Sequence, residues 1–541
     1  MTLYDTDRVV MGPSRPGPDA GYALHADGTR VERLADILRR RAASTPDLPA
    51  VIEPDRVTTF AQLDARSSQV ARALLADGVE AGDRVAYIGV NAPSFLEVLY
   101  GCAKIGAIAT AVNNRLAPAE VTRILDDAEP AVLVLGAGDD GLAPPPETVP
   151  SLLRVVTAGA GATPYEQWLD AQPATDPGVL ADPGDTALIF YTSGTTGLPK
   201  GIMLTGRNLG QALATMHYEI DLDETSVAMA PIPYFHISGL GLAMVAAVNG
   251  AALLLEMATA PEDLRDLLIS RRVSHAALVP TLIQRLVSLP DVSSYDWSAL
   301  KYVVYGASPI PLPVIRAATD AIGCSFLQSY GLTESTGGVT VLRPEDHLPD
   351  PGQERRLLSA GRPMHGVPMR IVDPDTLKDV APGERGEVLI GGGHVMAGYW
   401  RNPAATEAAI LPGGWLRTGD GGSFDEDGYL YLHDRIKDMI VSGGENVYPA
   451  EVESALTGHP AVLEVAVIGV PSERWGEVAH AVVVLRQGAA VTGEELIAWS
   501  RERLAHFKCP SGVSFVDTLP RNASGKLLKT RLRETHGSPR P

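Results

Sequence analysis

The sequence predicts an α/β fold with a large N-terminal domain and a small C-terminal domain. At 541 residues the chain is long enough for roughly three or four folding units. Short apolar runs alternate with helical segments through its first part, which is typical of layered α/β sheets. Short β runs between glycine and proline turns then occupy residues 361–432 and indicate a small β subdomain. We therefore expect a multi-subdomain N-terminal domain over residues 1–434 and an α+β domain over residues 435–541.

The N-terminal elements follow from the spacing of apolar residues. The first thirty residues are rich in Gly, Pro and Asp and lack periodicity, so we expect a loosely packed arm there. The uncharged stretch 225–255 is interrupted by Pro231 and Pro233 and predicts a buried strand, a loop and a buried helix, not an integral membrane segment. The other predicted helices are 34–42, 60–76 and 120–127, and the predicted strands are 84–90, 131–135 and 187–191.

The rest of the chain predicts the β subdomain and then the α+β domain. A helix starts at Pro449, with proline at its first turn, and a later helix is opened by Thr492 with Glu495 as a capping box. Residues 501–541 carry nine Lys+Arg against three Asp+Glu, which fits either a solvated basic face or a cationic lid that meets a phosphate-bearing ligand. The predicted strands are 369–372, 386–390 and 429–432 in the subdomain, and 465–470 and 479–485 in the last domain.

Composition excludes several classes of protein. The net charge of −20 argues against nucleic acid as a main partner. Met1 to Arg8 holds no basic region followed by an apolar one, so we expect a cytoplasmic protein. The three cysteines are far apart and form no CxxC pair, which predicts a reducing compartment.

The segment Gly136-Ala-Gly138-Asp-Asp-Gly141 follows an apolar strand and matches the glycine spacing of a dinucleotide-binding fingerprint, but its context excludes a dinucleotide site. The fingerprint needs a helix whose N-terminus faces a pyrophosphate. Here two aspartates would repel that ligand, and the prolines at 144–146 forbid the helix. We expect a surface loop.

The segment YTSGTTGLPKG at residues 191–201, which we call the phosphate loop, is built to bind phosphate. Its glycines let backbone N–H groups approach an anion, its hydroxyls can donate, and Lys200 supplies charge. It is not a Walker A loop, because Leu198-Pro199 separates Gly197 from Lys200 and no Ser or Thr follows the lysine. A P-loop ATPase is therefore disfavoured.

Six further segments complete a resemblance that runs from about residue 30 to the end of the chain. The sequence resembles the adenylate-forming superfamily of acyl-CoA synthetases, luciferases and peptide-synthetase adenylation domains. SGGENVYPAEVE and IGVPSERWGE are similar to the medium- and long-chain fatty acyl-CoA synthetase branch. The segments are PYFHISGL at 233–240, YGASPIP at 305–311, SYGLTES at 329–335, GGWLRTGD at 413–420, LHDRIKDMIVSGGENVYPAEVE at 432–453 and PRNASGK at 520–526.

The resemblance implies a nucleotide site. Within it Tyr330 lies against adenine, Thr333 donates to the α-phosphate, and Asp420 and Arg435 contact the ribose. Glu334, with Thr192, is implied to bind Mg²⁺, which prefers hard oxygen ligands. The implied ATP and AMP residues are Thr192, Ser193, Gly194, Thr195, Thr196, Gly197, Lys200, Gly306, Ala307, Ser308, Ser329, Tyr330, Gly331, Thr333, Asp420 and Arg435.

The same resemblance implies an acyl pocket and a catalytic set. His236 stands at the pocket entrance and orients the carboxylate, and the ammonium of Lys526 bridges that carboxylate and the α-phosphate in the transition state. The implied pocket residues are His236, Ile237, Gly239, Tyr305, Gly306, Ala307, Gly331 and Gly337, and the implied catalytic residues are Lys526, His236, Thr333 and Glu334.

The implied reaction is that of an acyl-CoA synthetase using ATP, Mg²⁺ and CoA. A carboxylic acid and ATP give an acyl-adenylate and pyrophosphate, and CoA then displaces AMP. The small domain is implied to be a mobile lid that rotates between the two steps about a hinge near Lys437. Lys437, Ser442, Gly443 and Gly444 are then implied to line the CoA channel.

Other possibilities stay open at this point. The acyl group could pass to a carrier protein, or the chain could be a non-catalytic nucleotide or acyl binding module, although Lys526, Glu334 and Lys200 are all present. The Gly239-Leu-Gly241 stretch fits a medium or long alkyl chain, whereas an aryl or alicyclic acid would suit Tyr305 equally well. The resemblance also leaves a homodimer open.

Overall fold

The structure is a computed structural model, and most of the chain is described in it. The described residues are 33–158, 164–193, 199–258, 260–307, 310–348, 354–435, 438, 440–442, 445–447, 449–472, 475–504, 506–521 and 527–537. The predicted N-terminal arm lies outside them.

Helices alternate with strands through most of this chain. The helices are α1 Leu34–Ser44, α2 Phe60–Ala76, α3 Pro93–Ala103, α4 Pro118–Ala128, α5 Tyr165–Asp170, α6 Gly206–Glu219, α7 Ile237–Asn249, α8 Pro261–Ser270, α9 Pro280–Val287, α10 Leu312–Ile322, α11 Pro403–Ala409, α12 Pro449–Thr457, α13 Gly493–Arg501 and α14 Lys529–His536.

Most strands are short, and several have only two or three residues. They are β1 Pro49–Ile52, β2 Val57–Thr59, β3 Arg84–Ile88, β4 Ile108–Val112, β5 Pro130–Leu135, β6 Arg154–Thr157, β7 Thr186–Ser193, β8 Pro199–Thr205, β9 Val227–Met229, β10 Ala252–Leu254, β11 His275–Leu278, β12 Tyr302–Gly306, β13 Ser325–Leu332, β14 Gly337–Leu342, β15 Arg362–Pro363, β16 Met369–Val372, β17 Gly386–Ile390, β18 Gly398–Tyr399, β19 Ile410–Leu411, β20 Trp415–Phe424, β21 Leu430–Arg435, β22 Ile440–Ser442, β23 Glu445–Val447, β24 Val462–Ser472, β25 Gly476–Leu485 and β26 Gly512–Phe515.

Two large sheets form the body of the N-terminal domain. The first has the order β18-β8-β7-β4-β3-β5-β6, and the second has the order β15-β14-β13-β12-β11-β9-β10-β1-β2. In the second sheet β12 and β13 run parallel, with Val303 opposite Phe326 and Val304 opposite Leu327. Val304 and Leu327 enter one core cluster and Val303 and Phe326 enter another, so the sheet is buried on both faces. This burial explains the continuous apolar runs of its strands.

The β subdomain and the C-terminal domain each contain one small sheet. The subdomain sheet has the order β16-β17-β20-β19, with β21 added on β20. The C-terminal sheet has the order β23-β22-β25-β24, with β26 added on β25. Ile440, Val452 and Val467 are among the residues of a separate core cluster in this last domain.

Most predicted elements are confirmed. The helix predicted over 60–76 has these bounds, because Thr59 and Gln62 form a capping box at its start. The stretch 225–255 holds β9, a loop, α7 and a further strand, β10. Thr492 and Glu495 form the expected capping box. Within the described residues no helix has the length and apolarity needed to cross a bilayer.

The strand predicted over 429–432 is longer than expected. It runs from Leu430 to Arg435, because its polar end continues the ladder with β20 and pairs Arg435 with Asp420. A domain boundary after residue 434 stays a prediction.

Candidate active site

The ends of two neighbouring parallel strands bring several predicted residues together. Gly306 ends β12 and lies opposite Ser329 of β13, and a one-turn 3-10 helix, Thr333–Ser335, follows β13. Ligands of open α/β sheets bind beside the carboxyl ends of such strands. Gly306, Tyr330 and Thr333 therefore reach one edge of the nine-stranded sheet.

The turn that carries Glu334 is held by hydrogen bonds of the Ser335 side chain and by close packing at Gly331. The buried Ser335 hydroxyl accepts from the N–H of Leu332 at 2.9 Å and lies 3.0 Å from the carbonyl oxygen of Gly337. A Cβ at Gly331 would stand 1.8 Å from that same Gly337 oxygen, so only glycine fits. The half-buried Glu334 side chain thus starts from a fixed backbone.

The phosphate loop spans an antiparallel hairpin between β7 and β8. Thr192 lies opposite Lys200 in this hairpin. The Nζ of Lys200 lies 4.9 Å from the ring centre of Tyr399, and the hydroxyl of Tyr399 donates to Glu334 Oε1 at 3.1 Å. This chain of contacts places the start and end of the phosphate loop beside the Glu334 turn.

The predicted adenine and ribose residues contact each other. The Tyr330 hydroxyl donates to Asp420 Oδ2 at 2.8 Å. The backbone before Asp420 is fixed by Glu387, which is 2 % exposed and accepts from the N–H of Gly419 at 3.1 Å and from Arg417 Nε at 2.8 Å. Tyr330 and Asp420 can therefore serve one ligand.

His236 directly precedes the apolar helix α7, and its side chain makes no capping hydrogen bond to that helix. Its Nε2 is buried and has no hydrogen-bond partner among the described residues. Burial, reinforced by the charge of Arg115, lowers the pKa of His236 to about 4. The neutral imidazole could donate to an oxygen of a ligand in this position.

The side chain of Tyr305 packs in a different core cluster from that of Ile237, another predicted pocket residue. Its side chain is 2 % exposed and belongs to the second core cluster, with Phe326, whereas Ile237 and Tyr330 pack against the first. Its hydroxyl lies 2.9 Å from His347 Nε2. Strand alternation turns Tyr305 away from Val304, which belongs to the first cluster.

Of the remaining predicted site residues, some lie in the described part of the chain and others do not. Ala307 has a left-handed backbone with φ 65°, and Gly239 is packed so closely that a Cβ would lie 2.5 Å from the oxygen of Ile232. Ser442 is buried and lies opposite Gly476 of β25. The described residues do not include Gly194, Thr195, Thr196, Gly197, Ser308, Lys437, Gly443, Gly444 and Lys526, and they include only the backbone of Ser193 and Arg435.

Sequence reasoning missed three residues that the structure places near the site. Tyr399 and Glu387 are described above. His394 is 0 % exposed, neither of its ring nitrogens has a partner in the described part of the chain, and its carbonyl oxygen accepts from the Thr336 hydroxyl at 2.7 Å. The sequence Gly-Tyr-Trp at 398–400 is the only local pattern that could have indicated Tyr399, but the contacts of Tyr399 are with residues distant in sequence.

The donor set suits a metal held mainly by a substrate. In the described ranges no cluster of three His, Cys, Asp or Glu side chains could hold a metal by itself. Glu334 offers a single half-buried carboxylate beside the phosphate loop. Mg²⁺ is typically held by one or two carboxylates together with substrate phosphates and water. The residues therefore fit Mg²⁺ that arrives with a nucleotide triphosphate.

Comparisons with known proteins agree with this arrangement. The model for AMP-binding enzymes matches residues 38–400, and the model for the AMP-binding enzyme C-terminal domain matches residues 451–526. The chain is 39% identical to a feruloyl-CoA synthase of Amycolatopsis sp, over 92% of this chain and 98% of that protein. It is 37% identical to the fatty acid–[acyl-carrier-protein] ligase ScoC of Streptomyces coeruleorubidus, over 93% of this chain and 96% of that protein.

A third relative and a solved structure cover the chain to a similar extent. The long-chain-fatty-acid–CoA ligase FadD13 of Mycobacterium tuberculosis is 37% identical over 94% of this chain and 100% of its own length. The crystal structure of ATP-bound MatB from Rhodopseudomonas palustris superimposes with a TM-score of 0.85 at 30% identity and covers 93% of this chain and 99% of that chain.

Proposed function

The chain belongs to the AMP-binding enzyme family, and we propose that within it this protein activates a medium- or long-chain fatty acid and transfers the acyl group to CoA. It is an AMP-forming acid–thiol ligase that uses ATP, Mg²⁺ and CoA. The acid carboxylate attacks the α-phosphate and pyrophosphate leaves. The CoA thiol then attacks the acyl carbon of the adenylate, AMP leaves, and a thioester forms.

We assign the described residues to these steps as follows. Asp420 and Tyr330 bind the ribose and adenine of ATP, because they share a hydrogen bond at the end of β13. Thr333 faces the α-phosphate from the rigid turn, and Glu334 holds Mg²⁺, which would neutralise phosphate charge. The resemblance assigns the transition-state cation to Lys526.

The proposal of a fatty acid as substrate rests on the position of His236 at the start of the apolar helix α7. The unpartnered Nε2 of His236 offers a donor for a carboxylate at the first end of a helix whose sequence, ISGLGLAMVAAVN, has no charged residue. A Cβ built at Gly241 meets no atom within 4 Å, so open space lies beside this helix. An alkyl chain can extend there from a carboxylate held at His236.

The burial of Tyr305 supports an alkyl acid over an aryl acid. Its ring packs in the second core cluster, so it is not available to stack on an aromatic substrate beside Ile237. The names of ScoC and FadD13 refer to fatty acids, whereas the name of the feruloyl-CoA synthase refers to an aryl acid.

A panel of carboxylic acids tests the proposal. Pyrophosphate release is measured with straight-chain acids from hexanoate to stearate, with ferulate and with 2-succinylbenzoate. We expect the best turnover with a straight-chain acid of at least eight or so carbons, since each methylene in an apolar pocket contributes about 0.8 kcal/mol. Highest turnover with an aryl acid would overturn the choice of acid, and no release with any acid would overturn the activity.

Gly241→Leu tests the position of the alkyl chain. A leucine in the open space should lower kcat/KM for the longest accepted acid by roughly 10- to 200-fold, the range seen when a pocket loses room for small apolar groups, and shift the preference to shorter acids. Gly141→Leu is the matched control, because a Cβ at Gly141 also meets nothing and lies on a surface turn. Equal chain-length profiles in both variants would remove α7 from the pocket.

A carrier protein is the second candidate acceptor. The similarity to ScoC, whose name specifies an acyl-carrier protein, favours this candidate. Mass spectrometry of the product formed with ATP and free CoA, compared with ATP and a phosphopantetheinylated carrier protein, separates the two acceptors. We expect acyl-CoA, and acyl-carrier protein alone would overturn that choice.

A further inference from the structure

Tyr399 is anchored by its backbone between the phosphate hairpin and the Glu334 turn. It belongs to β18, the edge strand beside β8 in the seven-stranded sheet. The N–H of Trp400 donates to the Gly201 oxygen at 2.7 Å, and the N–H of Ala397 donates to the Met203 oxygen at 3.0 Å. These bonds fix the strand on the hairpin that carries Lys200.

The same segment is also tied to the turn on its other side. The N–H of Met396 donates to the carbonyl oxygen of Glu334 at 2.9 Å. The backbone of Tyr399 is therefore held against both groups that its side chain contacts. Because the backbone is already fixed, the Tyr399 side chain loses little additional conformational entropy when it makes these contacts.

The side chain of Tyr399 touches a cation and an anion with different parts. Its hydroxyl donates to Glu334 Oε1 at 3.1 Å, and its ring centre lies 4.9 Å from Lys200 Nζ. All three side chains are half-buried. The described side chains of Lys200 and Glu334 form no ion pair with each other, although both contact the side chain of Tyr399.

An ion pair between Lys200 and Glu334 would compete with the ligand that the site is proposed to bind. The ammonium would occupy a carboxylate oxygen needed by Mg²⁺, and the carboxylate would neutralise a charge needed by phosphate. Tyr399 satisfies both groups more weakly. A cation over the ring of a half-buried tyrosine is held loosely enough to be released to a phosphate. One hydrogen bond to Glu334 leaves its second carboxylate oxygen available.

We propose that Tyr399 is a positioning residue that keeps the ammonium of Lys200 and the carboxylate of Glu334 apart and ready for the two parts of a Mg²⁺–triphosphate ligand. The inference rests on the proposed function, because it gives Lys200 and Glu334 their phosphate and metal roles. It adds a residue that acts only through these two groups.

Two substitutions separate the two contacts of Tyr399. Tyr399→Phe removes the hydroxyl and keeps the ring, so metal affinity should fall about tenfold, as expected for one lost hydrogen bond to a charged group, while metal-free nucleotide affinity stays the same. Tyr399→Leu also removes the ring and lets Lys200 reach Glu334, so both affinities should fall.

The affinities are measured without turnover. Mn²⁺ replaces Mg²⁺, and electron paramagnetic resonance of free Mn²⁺ gives its Kd in the presence of a non-hydrolysable ATP analogue. Calorimetric titration of the analogue without divalent metal gives the second Kd. Circular dichroism and a thermal melt confirm that each variant is folded at the temperature used.

A double-mutant cycle and a matched control make the test specific. In the Glu334→Gln background, Tyr399→Phe should change the Mn²⁺ Kd by less than about twofold, because the two residues act as one unit. Tyr165→Phe loses a comparable tyrosine–glutamate hydrogen bond, 2.8 Å to Glu97 Oε2, in the buried N-terminal core. It should leave the Mn²⁺ Kd unchanged.

The outcomes distinguish the inference from the proposed function. If Glu334→Gln weakens Mn²⁺ binding and Tyr399→Phe does not, the positioning role is wrong and the function stands. Additive effects of the two substitutions would also overturn the positioning role. If the unmodified protein binds no Mn²⁺ with the ATP analogue, the proposed function fails first.

Discussion

Replacing His394 with leucine should stabilise the protein, and more so in acid. His394 is fully buried at the end of a 3-10 helix, Gly392–His394, and neither ring nitrogen finds a partner within the described residues. Leucine has a similar volume and no polar atom. The backbone contact from Thr336 to the His394 carbonyl does not depend on the side chain.

The expected gain in the free energy of unfolding has one part that is constant and one part that varies with pH. Burying an unpaired polar group costs about 1–3 kcal/mol in mutational data, so the variant should gain up to that amount at neutral pH. Burial also lowers the pKa of His394 to about 4, against about 6.5 for an exposed imidazole. The unfolded chain therefore binds a proton between these two values that the native protein does not.

The sign of the pH effect follows from this proton. As the pH falls below 6.5 the unfolded state of the wild-type chain is favoured by protonation, so native stability is lost down to about pH 4 and is present above 6.5. Between pH 7.5 and pH 5 the loss from this single group is about 2 kcal/mol. The variant lacks the group, so the stability difference between the two proteins should widen by that amount.

Thermal melts at pH 7.5 and pH 5 measure the difference. At about 2.1 cal/mol/K of unfolding entropy per residue, a change of about 2 kcal/mol in a domain of about 400 residues corresponds to a Tm change of about 2 °C. Scan rates are kept equal, because large proteins often unfold irreversibly. The lowered pKa values of His236, His275 and His433 affect both proteins alike and cancel in the difference.

His506→Leu is the control for adding a leucine, because His506 is exposed. It should show no such widening. A Tm difference between wild type and His394→Leu that is equal at both pH values would show that His394 is not buried as a neutral, unpaired imidazole, and the reasoning would be refuted.

The remaining predictions concern the two chemical steps. Lys526→Ala should lower the rate of adenylation at least about 10²-fold, the effect of removing one transition-state donor. Thioester formation from presynthesised acyl-adenylate and CoA should stay near normal, and loss of both steps to the same degree would contradict the assignment of Lys526. Lys437→Pro fixes φ at the predicted hinge and should slow thioester formation more than pyrophosphate release when the two steps are measured separately. Equal slowing of both steps would place the hinge elsewhere.

Local signals explain why much of the fold could be predicted from the sequence. The capping box at Thr59 and Gln62 fixed one helix start, and the uninterrupted apolar strands follow from a sheet buried on both faces. The strand ending at Arg435 was predicted too short, because its last residues are polar and its register is set by β20.

Individual site residues could be predicted from their own motifs, whereas contacts between residues distant in sequence could not. Tyr330 and Asp420 were singled out by separate motifs, yet their shared hydrogen bond joins strands of two different sheets. Tyr399 binds Glu334 and lies over Lys200, and no local pattern encodes either contact. The side-chain direction of Tyr305 depends on which face of β12 meets His347.

The close packing at Gly331 has a consequence for how this protein can change over generations. A Cβ there would stand 1.8 Å from the Gly337 oxygen, so every other amino acid is excluded for the same steric reason. Each missense change of one nucleotide in a glycine codon introduces a side chain, so no mildly impaired intermediate connects position 331 to another residue. A lineage can replace Gly331 only if the backbone at Gly337 also moves, so these two positions must change together.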